Sequence, residues 1–257
     1  MFLVAAVGAD LAFAVYPEKP IRLIVPFTPG GGTDIIARTL ASGMGKEVAQ
    51  PVVVENKAGG GTVIGTDAVA ESAPDGYTLL VATFAHAVNP SMQPKLPYVW
   101  DKAFAPVILI GRGPNVLVVR SDGPYRTIRD IITAATRDPG KLTYASFGNG
   151  TSAHLAGEMF TNLAHVQMTH VPYRGMGAAV TDIMGGQVDM IFGTAAGVAG
   201  YLTSGQLRAI AVTSPQRSAS LPAVAATPAC IFGQPCGISM RPTVARMISH
   251  ASGRAAT

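Results

Sequence analysis

Residues 146–154 read Ser-Phe-Gly-Asn-Gly-Thr-Ser-Ala-His, a run in which neutral hydrogen-bond donors crowd around two glycines. Ser146, Asn149, Thr151 and Ser152 carry the side-chain donors, Gly148 and Gly150 leave their amides unobstructed, and His154 follows inside the helix that the next residues predict. A helix start presents unpaired N–H groups and the positive end of the helix dipole, which suits a carboxylate or a phosphate. With no Lys or Arg in the run, such an anion would be held by hydrogen bonds rather than by an ion pair, which eases release. A helix cap at Thr151 or Ser152 would explain one of these residues but not the cluster. A second glycine loop, Pro29-Gly30-Gly31-Gly32-Thr33-Asp34, precedes IIARTLASGM. It lacks the Lys-Ser or Lys-Thr of a P-loop, and Ile35 stands where a dinucleotide fingerprint needs its third glycine. A tight turn with Thr33 or Asp34 capping the helix remains the alternative to anion binding there.

The other reactive side chains assemble into no catalytic motif. The sequence has no G-x-S-x-G elbow, no H-E-x-x-H and no local His-Asp-Ser set. His165 and His170 lie where helix gives way to strand, a poor arrangement for a shared metal, and His86 and His154, taken singly, read as satisfied structural residues. Asp182 and Asp189 flank Gly185-Gly186 and read as solvated. Cys230 and Cys236 have a C-x5-C spacing that matches no zinc pattern. An enzyme is therefore not expected, nor a catalytic residue, a metal or a cofactor.

The elements that must hold these residues are apolar runs alternating with glycine loops and helical stretches. Ile21–Phe27, Val52–Glu55, Leu79–Thr83, Phe104–Ile110, Val116–Arg120, Leu142–Ser146 and Leu207–Thr213 read as strands. Helices follow several of them, one opening at Thr127 as N-cap. Repeated strand-loop-helix units imply a mainly parallel sheet covered by helices, and the pattern occurs on both sides of residue 117. Of 257 residues, 48% are hydrophobic and 13% charged, which excludes intrinsic disorder. The net charge of +4 reflects a tail in which Arg241, Arg246 and Arg254 meet no acid. Scattered basic residues and few aromatics argue against nucleic-acid binding. Met1–Ala14 is a short apolar stretch ending Ala-Phe-Ala, as a signal-peptidase site would, although Asp10 interrupts it and no basic residue precedes it.

The stretches YPEKPIRLIVPFTPGGGTDIIAR, VVVENKAGGGTVIGTDAVAESAPDGYTLL, FAPVILIGRGPNVLVV, PGKLTYASFGNGTSAHLAGEMF and HVPYRGMGAAVTDIMGGQVDMIF stand in this order. In them the sequence resembles the solute-binding receptors of the tripartite tricarboxylate transporter family, also called Bug receptors, over about residues 16–224. The resemblance implies an α/β, two-lobed fold of the type II periplasmic-binding-protein kind, closing on a small organic acid. It implies lobe 1 in residues 16–116 and lobe 2 in residues 117–224, after a signal remnant in residues 1–15. Residues 225–257 depart from the family, which leaves lobe 1 incomplete. Carried over by position, the ligand contacts fall on Phe27, Gly30, Gly31 and Asp34, on Thr83, and on Ser146, Gly148, Gly150, Thr151, Ser152 and His154. Tyr173 and Gly175 follow from VPYRG. Gly193 and Thr194 stand where the family often has Asp-Asn, so the ligand's far end is expected to meet a less acidic wall. The implied protein is an exported periplasmic monomer whose partners are the organic acid and integral membrane transporter subunits. A non-transporting sensor or a defective, truncated receptor is the alternative, and an enzyme acting on a carboxylic acid is less supported.

Overall fold

A computed structural model describes residues 16–219, 221 and 223–226. The apolar start, both cysteines and the tail beyond Ala226 lie outside these residues. The described chain folds around two sheets. The first is built from β1 (Ile21–Val25), α1 (Gly32–Glu47), β2 (Val52–Asn56), a 3-10 turn (Gly60–Thr62), α2 (Val63–Ala70), β3 (Thr78–Leu80) and α3 (Phe84–Met92). Its strands run parallel in the order β2-β1-β3. Ile21, Leu23, Ile24 and Val25 of β1 are all buried, the signature of a central strand covered on both faces. Arg22 points outward and donates through Nε and Nη2 to the two carboxylate oxygens of Glu55, at 2.7 and 2.8 Å.

The second unit contains β4 (Asn115–Arg120), α4 (Ile128–Arg137), β5 (Thr143–Ser146), α5 (Ser152–Ala164), β6 (Thr169–Pro172), α6 (Met176–Met184), β7 (Met190–Thr194), α7 (Ala195–Thr203), β8 (Leu207–Val212) and β9 (Ala225–Ala226). Its strand order is β6-β5-β7-β4-β8-β9. The pairs β5-β6, β5-β7 and β8-β9 are parallel, whereas β4 runs antiparallel to both β7 and β8. An apolar run such as Val116–Val119, fully buried here, does not encode direction, so the sheet is mixed where the sequence predicts a mainly parallel one. The sheet takes up the chain from Asn115.

Thr127 caps α4 as its sequence predicts: its hydroxyl accepts from the Asp130 amide at 3.2 Å, and the Asp130 carboxylate accepts from the Thr127 amide at 2.9 Å. Two readings of the sequence need correction. Phe104–Ile110 joins neither sheet, and Val107 and Ile108 are 79% and 77% exposed. β-branched runs predict strands only where a partner edge lies beside them. Asp182 and Asp189 are not merely solvated. Asp189 accepts from the amide and hydroxyl of Thr143 at 2.8 and 2.9 Å, and Asp182 accepts from the Tyr173 hydroxyl at 2.6 Å. The pairing of β7 with β5 brings Asp189 to Thr143, and α6 carries Asp182 back to the loop that holds Tyr173, partners the local sequence does not show.

Candidate functional site

The loop after β1 is shaped by Asp34. Its carboxylate accepts from the Gly30 amide at 2.9 Å, from Arg38 Nε at 3.0 Å and from Asn56 Nδ2 at 2.9 Å. Burial opposes its ionisation, but these donors together hold its pKa below the ordinary value. The Asp34 side chain thus organises the turn, with Gly30 at φ +80°. The glycine that approaches the other unit is Gly32. A Cβ there would lie 2.1 Å from Thr194 Oγ1 and 3.0 Å from the Gly197 amide, whereas at Gly31 the nearest atom is 3.6 Å away.

The donor loop between β5 and α5 is knit together by its own hydroxyls. Ser146, fully buried, accepts from the Gly148 amide at 3.1 Å and meets His170 Nε2 at 2.7 Å. The Thr151 hydroxyl donates to the Gly148 carbonyl at 2.6 Å rather than capping α5. Ser152 reaches Asn115 at 3.3 Å, and the Gly150 amide donates to His154 Nδ1 at 3.3 Å. Gly148 and Gly150 adopt φ +126° and +76°, values that side-chain-bearing residues rarely take. Behind the loop the His154 and His170 rings lie 4.3 Å apart, and His170 stacks on Tyr144 at 4.9 Å. Tyr144 donates to Glu158, whose carboxylate is also 3.8 Å from His154 Nε2. Burial, then His154, pushes His170 down to about 4.

Gly31, Thr151, Gly175 and Thr194 are the N-caps of α1, α5, α6 and α7, and none of these helices has a side-chain cap bond. The starts of α1, α6 and α7 meet at a cavity of about 20 Å³ lined by Phe27, Gly31, Gly32, Thr33, Phe147, Met176 and Thr194. That space suits a single water. The buried Thr194 hydroxyl has no hydrogen-bond partner among the described residues. Gly175 and Gly193 serve packing: a Cβ would fall 1.8 Å from Thr28 Oγ1 and 2.4 Å from Met176 Cε respectively.

A larger cleft of about 470 Å³ opens between the two units, within the range of small-molecule sites. Gly148, Asn149, Pro172, Tyr173 and Arg174 face Gly60, Gly61, Asn89, Met92 and Gln93 across it. The Tyr173 hydroxyl, donating to Asp182, is pushed up to about 12 by burial and then by that carboxylate. α3 braces the opposite wall. Asn89 Nδ2 donates to the Gly61 carbonyl and to Thr62 Oγ1, both at 3.1 Å, and Gln93 Nε2 donates to the Gly60 carbonyl at 3.2 Å. Thr62 is held at φ 87°, a strained position for a β-branched residue. Thr83 opens α3, its amide donating to His86 Nδ1 at 2.8 Å, while His86 Nε2 meets Thr66 at 2.7 Å. His86 is thus a satisfied structural residue, and burial lowers its pKa.

The structure therefore gathers Phe27, Gly31 and Thr194 at the small cavity and Gly148 and Tyr173 at the cleft. Asp34, Ser146, Thr151, Ser152 and His154 act on the loops from behind. Sequence reasoning misses Gly60, Gly61, Asn89, Gln93 and Arg174. The KAGGG loop carries a signal for the first pair, and VPYRG places a cation beside Tyr173. The donor loop itself carries no Lys or Arg, and the cleft adds one cation, Arg174, from the loop after β6.

No helix among the described residues is long and apolar enough to cross a membrane. Among known proteins, the family described as tripartite tricarboxylate transporter family receptor matches residues 36–243. The UPF0065 protein of the tcbD-tcbE intergenic region of Pseudomonas sp. (strain P51) is 42% identical over 209 residues, which span 81% of this chain and 62% of that relative's length. The R. palustris protein Rpa4515, solved with adipate, is 31% identical with a TM-score of 0.82, over 86% of this chain and 74% of that one. MatC from Rhodopseudomonas palustris, with bound malate, is 30% identical with a TM-score of 0.77, over 82% and 72%. The likeness to these solved chains makes the fold that of the type II periplasmic binding proteins.

Proposed function

The chain belongs to the tripartite tricarboxylate transporter receptor family, and from that premise we propose that it is a periplasmic receptor that holds a small organic carboxylate between its two sheets and delivers it to membrane transporter subunits. The observation that carries this reading is that the starts of α1, α6 and α7, none capped by a side chain, meet at one small cavity between the sheets. By contrast α4, which starts away from this cavity, is capped fully by Thr127. Backbone N–H groups at helix starts hold an anion without a permanent counter-charge.

Adipate in Rpa4515 and malate in MatC support a carboxylate as the class of ligand here. In this reading the lobes divide near the boundary the sequence suggests, moved two residues back because β4 already joins the second sheet at Asn115, so lobe 1 spans residues 16–114 and lobe 2 residues 115–224, and the receptor works as a monomer. One carboxylate sits against the loops of Gly30–Asp34 and Ser146–Ser152, and Arg174 faces the other end of the ligand across the cleft. On family grounds, and because the buried Ser146 and its partner His170 lie behind the loop and line neither cavity, we assign binding without turnover.

A thermal-shift screen of mono-, di- and tricarboxylates and acidic amino acids, followed by calorimetry, tests this. A bound acid recovered unchanged supports the receptor, and an acid that is consumed overturns it. Arg174→Gln is expected to weaken a dicarboxylate by roughly ten- to hundred-fold, the usual consequence of losing a hydrogen bond to a charged group. A response to none of the acids overturns the reading.

A further inference from the structure

Resting on that reading, we propose that His154 and His170 are positioning residues of the ligand loop, neutral rings that hold Ser146–Gly150 in the shape that presents Gly148 and Asn149 to the cleft, and that proton uptake at His154 undoes that shape. The loop is unusual in being anchored at both ends by imidazole. At one end the Gly150 amide donates to His154 Nδ1 at 3.3 Å. At the other, Ser146 Oγ meets His170 Nε2 at 2.7 Å while accepting from the Gly148 amide at 3.1 Å. Both glycines between these anchors hold positive φ, so the backbone has many other conformations open once an anchor goes.

The two anchors respond differently to a proton. A donor amide on Nδ1 requires a lone pair there, so neutral His154 carries its hydrogen on Nε2. An imidazolium has hydrogens on both nitrogens, and Nδ1–H would then oppose the Gly150 N–H, donor against donor. At Ser146 no such conflict arises, because a hydroxyl accepts as readily as it donates. The groups facing this pair are Tyr144 and Ser146 from β5 and Glu158 from α5. The Glu158 carboxylate stands 3.8 Å from His154 Nε2. His170, with its ring 4.3 Å from that of His154, stays neutral beside it, consistent with its lowered pKa. A proton taken up at His154 is thus the one that breaks a loop anchor, whereas one at His170 leaves the Ser146 contact able to form. Ligand binding then requires a deprotonated His154, and affinity falls on acidification.

Calorimetry with malate and with adipate, between about pH 8 and pH 6 so that both carboxylates stay above their ordinary range, tests this in wild type, His154→Asn and His154→Leu. Asparagine places Oδ1 where Nδ1 stood and accepts from Gly150, but cannot take the proton. The expected result is a loss of about ten-fold for His154→Leu at the upper pH and a value within about three-fold of wild type for His154→Asn. Wild-type affinity should fall towards pH 6, and the asparagine variant should flatten that profile. If His154→Leu does not fold, the profile of His154→Asn decides alone. Equal affinities in both variants, an affinity that rises on acidification, or a pH profile unchanged in His154→Asn would each overturn the positioning role. Wild type that binds neither malate, adipate nor any other acid of the screen overturns the receptor reading beneath it, a distinguishable outcome.

Discussion

His170 links the site to the stability of the fold. In the unfolded chain its ring titrates near the ordinary 6.5, whereas burial, followed by His154, pushes it down to about 4 in the folded protein. As pH falls the unfolded state takes up the proton first, so stability that is intact above about 6.5 erodes as pH drops towards 4. The ring is only half-buried, and water screens part of the effect. Melting curves over that window should fall less steeply for His170→Gln than for wild type, and parallel slopes would contradict the assignment. The glycines of the first loop separate in the same residue-by-residue way. Gly30→Ala meets nothing within 4 Å but must adopt φ +80°, so it should cost about 1 kcal/mol of stability and leave the contact between the units intact. Gly32→Ala drives a Cβ into Thr194 and the Gly197 amide, and backbone cannot yield as a side-chain tip can. We expect it to lose more ligand affinity and more melting temperature than Gly30→Ala, whose added Cβ meets nothing.

Two threonines at helix starts show how one residue type serves two elements. Thr127 caps α4, and Thr127→Ala should remove about 1 kcal/mol without touching affinity. Thr151 stands at the same position of α5, yet its hydroxyl closes the loop onto the Gly148 carbonyl and leaves the first turn of the helix uncapped. Thr151→Ala should accordingly lower affinity more than melting temperature, and the reverse ranking in paired melting and calorimetry experiments would return Thr151 to an ordinary cap. The same contrast marks what the sequence makes legible. Periodicity and glycine loops locate β1, α1, β2, β5, α5 and β8, because each is dictated by neighbours in the chain. Strand direction is not local, and β4 runs antiparallel to its partners with the same apolar run a parallel strand would have. His154 and His170 stand on different elements, α5 and β6, so no spacing rule joins them. The pairing of β5 with β6 brings their elements together. Arg174 escapes notice for a related reason, since a lone cation in a loop acquires meaning only when the facing wall of the cleft is known.

At the scale of the molecule, the two sheets are finished to different degrees among the described residues. The second has six strands, and β4 lies inside it with Val116, Leu117, Val118 and Val119 all buried. The first has three, and its β3 edge is only three residues long. Beyond β3 the chain carries Val107, Ile108, Leu109 and Ile110 at 79%, 77%, 66% and 47% exposure, with Trp100 at 52%. An apolar strip this exposed is unfavourable in water and promotes association. It contributes little to the fold in the described chain, because side chains this exposed bury little surface. Replacing Ile108 with Lys should therefore leave the melting temperature nearly unchanged, within the roughly 0.5 kcal/mol typical of surface substitutions, while lowering concentration-dependent light scattering. The strip lies outside both cavities, so malate or adipate affinity should also be retained. A marked loss of stability on Ile108→Lys would show instead that the strip is covered in solution, and that the first sheet is completed by packing which the described residues do not supply.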